Sequence, residues 1–331
     1  MKYFQHTLLN AVRKYPEFFI LFTVSLIFLL PVLTGGFFLS HDSVTHVART
    51  ASYEKALSDG QLPPRWAEQA NYGYGSPFMI LFYPLASYLM IPLHLAGLSL
   101  ESSYLVFNII VFLLTSVGFY LWMRQLFPKA VALAAAIFYT ALPYHFLIFY
   151  VRGAPGEALA FALLPFLFYC IEKISKKFSF SLILILGMLY AALMLSHNGI
   201  SLIFTPIFLI YSFLRQKRAV LSVFSAIGMG LLLSAHFWLP ALEEAKYTNF
   251  LYYFGNMYKE HFLYGLTPIF SSWGFGPAVN KPGGLSAQVG IPATIIFLFG
   301  VWMFLTSLRR RAQRETRTLL GFWLVLFLLG I

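Results

Sequence analysis

Long apolar runs separated by short polar clusters dominate this chain. Runs long enough to cross about 30 Å of hydrocarbon begin near Phe18, Phe78, Ser103, Ala130, Glu157, Phe180, Gly199, Ala219, Ile291 and Thr318. They predict an all-α, polytopic transmembrane bundle in a single domain over residues 1–331. No internal repeat, low-complexity tract or soluble domain boundary interrupts the pattern. The last run reaches Ile331 without a polar anchor, which reads as a chain that continues.

One run differs from the others. Phe78–Leu98 carries Pro84, Pro92, His94 and several tyrosines, a content suited to an interfacial or re-entrant segment. Basic residues give the same reading. If this run does not cross, sixteen of the 23 lysines and arginines fall on one side. That side is cytoplasmic by the positive-inside rule. The expected topology is therefore nine spans, with the amino terminus in the cytoplasm of a cytoplasmic (inner) membrane. Two long outer loops follow, at about 40–102 and 241–290, and nine of the twelve acids lie outside.

Composition agrees with a membrane chain. Hydrophobic residues make up 59% and charged residues only 11% of 331 positions, against about 25% charged in soluble domains. The net charge of +11 comes from short loop clusters, so nucleic acid is not an expected partner. The single cysteine, Cys170, lies in an apolar run and reads as a small buried hydrophobe.

Chemistry-capable residues gather in the expected outer loops. The first span is followed by Ser40-His41-Asp42-Ser43-Val44-Thr45-His46. Residues 42–59 predict an amphipathic interfacial helix, with Val44, Val47, Ala48 and Ala51 on an apolar stripe. Asp42, His46, Arg49 and Tyr53 align on the opposite face, which is expected to turn toward a cavity or water. Asp42 has two readings, a helix N-cap or a catalytic or ligand-binding carboxylate. His41 and His46 accompany it, and Asp42 with His46 is a weak pattern for a divalent metal. Further on, Arg65, the Asn71–Pro77 turn with Tyr74, the Arg152–Glu157 turn and His197 are candidate phosphate- or substrate-binding groups. Each also has a structural reading: belt aromatics, an Arg152–Glu157 pair, a helix-end histidine.

The layout resembles the GT-C class of membrane glycosyltransferases. It has one span, an outer loop opening on an acid, a flat helix, an interfacial Tyr83-Pro84-Leu85 to Tyr88 segment, then many spans. Three stretches, His41-Asp42-Ser43 to His46, Asn71 to Pro77, and Tyr150-Val151-Arg152-Gly153, also resemble a bacterial membrane family labelled 6-pyruvoyl-tetrahydropterin synthase-related. That resemblance covers about residues 35–240. No pterin site or zinc-binding histidine triad is legible, so pterin chemistry is not expected.

The GT-C resemblance implies a polyprenyl-phosphate-linked sugar donor, and a glycan, lipid or protein acceptor in the cell envelope. Asp42 matches the acid of the first loop, although many members pair two acids and here His41 and Ser43 flank it. The alternatives are a non-catalytic assembly or lipid-binding protein, and a lipid or glycan transporter.

Overall fold

The structure, a computed structural model, describes residues 14–249, 265–279, 281–308 and 314–328. It is a multi-pass bundle of apolar helices. Five helices are long and apolar enough to cross a membrane: Pro16–Gly35 (α1), Leu100–Met123 (α5), Pro155–Lys176 (α8), Asn198–Arg215 (α10) and Ile291–Leu308 (α13). Between them lie Ser43–Ser58 (α2), Phe78–Leu81 (α3), Leu85–Leu95 (α4), Lys129–Thr140 (α6), Pro143–Phe146 (α7), Phe180–Ser196 (α9), Ala219–Leu233 (α11) and Ala235–Glu244 (α12). Arg314–Leu328 (α14) is the last. The β structure among the described residues is small: Gly276–Val279 (β1) pairs with Gly284–Leu285 (β2), and Ala67 bridges Ser76.

Two of the expected spans are bent. The run from Ala130 turns by 44° between α6 and the segment Pro143–Arg152, where Pro143 supplies no N–H to continue the ladder. Its last turns, Leu147–Arg152, are π-helical. The run from Ala219 turns by 69° at Ser234. Counting each bent pair as one span gives seven. The expected nine further requires α9 and the final apolar helix Arg317–Leu328 to cross.

The Phe78–Leu98 run breaks at Phe82–Pro84 into α3 and α4. The 11 residues of α4 rise only about 16 Å at about 1.5 Å each. That is about half the hydrocarbon thickness, so α4 cannot cross as a straight helix.

The most buried of the five long helices is α8, with α5, α9 and α10 packed around it. Its Phe168 stacks on Trp122 at 4.5 Å and meets Tyr211 at 5.2 Å and Trp323 at 5.5 Å. With no hydrophobic drive between helices in lipid, close aromatic packing supplies much of the contact energy.

The charged groups that pair between helices gather at the ends of the bundle. At one end, Lys129 pairs with Glu17 at 2.6 Å, Arg215 Nε with Glu172 at 2.7 Å, and Lys176 donates to the Gln125 carbonyl at 2.8 Å. At the other end, the loops after α1, α3, α7 and α9 converge.

Candidate functional site

The loop that follows α1 is stapled to the turn that carries Arg152. The backbone N–H of His41 donates to the Val151 carbonyl (2.9 Å), and that of Asp42 to the Arg152 carbonyl (2.8 Å). Helix α2 then begins with a reciprocal cap. Ser43 N–H donates to Ser40 Oγ at 3.2 Å, and Ser40 N–H donates to Ser43 Oγ at 3.0 Å. The Ser40 hydroxyl satisfies a donor that the helix start leaves open, and the Ser43 hydroxyl holds the incoming chain.

Tight packing at this junction depends on Gly153. It has φ +67°, and a Cβ there would collide with Ser40 Oγ and stand 2.9 Å from the Tyr104 hydroxyl. Gly156 is equally constrained, because a Cβ would strike the Tyr83 ring and approach the Ser196 carbonyl to 2.6 Å.

Asp42 precedes the first helical residue, yet its side chain makes no capping hydrogen bond. Of the two sequence readings, the side-chain cap is therefore not realised. Ser40 and Ser43 cap instead, leaving the half-buried carboxylate unspent. Its electrostatic neighbours are Arg49, Arg152, Tyr83 and Tyr104. Arg49 lies over the Phe82 ring at 3.8 Å. Burial lowers its guanidinium from the ordinary value, and the Tyr83 and Asp42 oxygens work the other way. Tyr83 is pushed up to about 12, first by burial and then by Glu157, so its hydroxyl stays protonated.

Arg152 forms the ion pair that the sequence offered as its structural reading. Its Nη1 donates to Glu157 Oε2, and the Tyr144 hydroxyl donates to Glu157 Oε1 at 2.7 Å. Glu157 is 5% exposed and lies in the first turn of α8, where the helix dipole favours an acid. His197 packs on Tyr83 with ring centroids 4.9 Å apart and lies in the field of Glu157 and Arg152.

The faces of α2 differ from the sequence expectation. His46 and Tyr53 are 7% and 1% exposed, whereas Val44 of the apolar stripe is 55% exposed. The face that reads as polar is the one packed inward. Tyr53 can be buried there because its hydroxyl donates to the Met79 and Phe82 carbonyls at 3.2 and 3.1 Å, while a stripe of alanines and valines offers little area to bury. Burial, with Arg49 and Arg152 nearby, pushes His46 down to about 3, so the imidazole is neutral.

Residues 80–280 match the family model described as 6-pyruvoyl-tetrahydropterin synthase related domain, a membrane protein. That is more than half of the 331 residues. The chain belongs to this family. A protein of Lactococcus lactis subsp. cremoris (strain MG1363), described as an uncharacterized protein, is 27% identical over 258 residues. That alignment covers 72% of this chain and 41% of the relative, so the chain spans about two fifths of that protein's length. Within the 6-pyruvoyl-tetrahydropterin synthase-related match lie Tyr83, Tyr104, Arg152, Glu157 and His197; Asp42, His46 and Arg49 precede it.

In this family member the structure gathers Asp42, His46, Arg49, Arg152, Glu157 and His197 at one end of the bundle. Three other candidates are placed elsewhere or otherwise engaged. His41 meets the second long loop, with Nε2 at 2.6 Å from the Phe275 carbonyl and its ring edge-on to Phe275. Tyr74 is 83% exposed. Arg65 lines a separate crevice that includes none of the clustered residues. The cluster also contains Tyr104 and Tyr144, for which sequence spacing offers no functional signal.

Among the described residues no three His, Cys, Asp or Glu converge as a metal site. Asp42 and His46 thus lack a third such ligand there.

Proposed function

We propose that this chain is the membrane part of a glycosyltransferase. It would take a sugar from a polyprenyl-phosphate carrier at the outer face of a bacterial cytoplasmic membrane. The observation that carries this reading is the Asp42 carboxylate, released from capping by Ser40 and Ser43 and set among Arg49, Arg152 and Tyr83. The positive-inside pattern supports the outer placement of this end.

In the proposed reaction Asp42 accepts the proton of an acceptor hydroxyl. The acceptor oxygen forms a bond to the sugar's anomeric carbon as the bond from that carbon to the phosphate oxygen breaks. The electron pair leaves with the lipid phosphate. Arg49 and Arg152 neutralise that charge, in a site where such interactions are stronger than in water. Glu157 and Tyr144 hold Arg152 in place, and His46 and Tyr83 form neutral walls. A positioned general base contributes about 10²–10⁴-fold.

The test compares envelope glycan masses in a deletion strain restored with full-length wild type or Asp42→Asn. Restoration of a sugar mass by wild type alone, at equal membrane levels, supports the proposal. Restoration by both removes Asp42 from catalysis. A deletion that alters no glycan rejects transferase activity in favour of a lipid-binding or transport role.

A further inference from the structure

The Arg65 crevice carries a second, independent inference. The loop that presents Arg65 is held from within. Gln61 Oε1 accepts from the N–H groups of Arg65 and Trp66, each at 3.1 Å, and Gln61 Nε2 donates to the Trp66 carbonyl at 3.0 Å. These bonds use the Arg65 backbone and leave its guanidinium out. Among the described residues that guanidinium has no ion-pair or hydrogen-bond partner.

Across the crevice stands α12, turned by 69° from α11 at Ser234. Trp238 Nε1 donates back to the Leu231 carbonyl at 2.8 Å and fixes this bend. His236 follows the bend directly and lines the same open crevice as Arg65, with Pro63, Pro64, Pro84 and Tyr88 among the walls. No carboxylate lines it. The sequence neighbours of this crevice are exposed leucines: Leu62 at 86%, Leu239 at 52% and Leu242 at 69%.

The Arg65 guanidinium, with no acid lining the crevice, suits a phosphate; His236 meets the Leu233 carbonyl through Nδ1 at 3.3 Å and keeps its other ring nitrogen open. Exposed leucines beside them suit hydrocarbon chains. The two features together describe one amphiphile. We propose that this crevice binds the phosphate headgroup of an anionic membrane lipid, with the lipid's chains lying along the leucines. This lipid is a ligand of the fold at a site apart from Asp42 and independent of glycosyl transfer.

The experiment uses the full-length protein purified in detergent. Thermal unfolding and native mass spectrometry are measured with phosphatidylglycerol, phosphatidylcholine and inorganic phosphate. Wild type should be stabilised by phosphatidylglycerol and retain it, with no comparable effect of the other two. Arg65→Gln should weaken phosphatidylglycerol binding about fivefold or more, and Arg65→Lys should restore most of it. His236→Gln, at an exposed position, should weaken binding as well, whereas Asp42→Asn should not. Equal binding by Arg65→Gln and wild type would overturn the proposal. So would equal protection by inorganic phosphate, which would describe a free-anion site.

Discussion

Ser40 and Ser43 cap helix α2 reciprocally, each accepting the other's backbone N–H at 3.2 and 3.0 Å. Asp42 sits between them, and its side chain takes no part in the cap. Under the proposed function, capping and chemistry fall to different side chains within the four residues Ser40–Ser43. Ser40→Ala should cost about 1 kcal/mol of stability, the usual loss of a cap. Asp42→Asn should change stability by less than about 1 kcal/mol and lower transfer by about 10²–10⁴-fold. Thermal unfolding in detergent, set beside envelope glycan masses, separates the two. A large stability loss in Asp42→Asn would assign the carboxylate a structural role.

The Arg152–Glu157 pair sets a second expectation. Glu157 is buried, and Arg152 retains 32% side-chain exposure. Breaking a buried pair costs about 3–5 kcal/mol; partial solvation of Arg152 places Glu157→Ala nearer to 2–3 kcal/mol. Tyr144→Phe removes one hydrogen bond to the same carboxylate and should cost about 1–2 kcal/mol. Unfolding midpoints of the two variants check this order.

His46 gives the protein a measurable acid sensitivity. Its folded value is near 3, against an ordinary 6.5. Between these values the unfolded chain binds a proton that the folded chain refuses. This contribution is therefore full above about pH 6.5 and is lost as pH falls toward 3, at up to about 1.4 kcal/mol per pH unit. His46→Gln should flatten that slope relative to wild type in unfolding experiments between pH 4 and 7.

At the opposite end, Glu172 is fully buried and bound by Arg215 at 2.7 and 3.0 Å and by the Tyr211 hydroxyl. Glu172→Gln should lower stability by about 3 kcal/mol or more. Because this network joins α8 to α10 at the far end from Asp42, phosphatidylglycerol binding at Arg65 should persist in the folded fraction. Loss of lipid binding there would show coupling through the bundle.

By itself the sequence determined the membrane class and most helix positions, because the length of an apolar run needed to cross a bilayer is a local property. It also marked residues 42–59 as a helix, close to the observed Ser43–Ser58, and Phe78–Leu98 as unlike its neighbours. Only the tertiary structure decided which helix face is buried, that Asp42 is not the side-chain cap, that Glu157 holds Arg152, and that Arg65 lies apart from both. Those outcomes depend on contacts between distant segments, such as the Asp42 N–H on the Arg152 carbonyl and the Tyr83 ring on His197. Periodicity records the face of a helix that carries apolar residues, but not the partner that can hydrogen-bond a buried tyrosine or neutralise a buried acid.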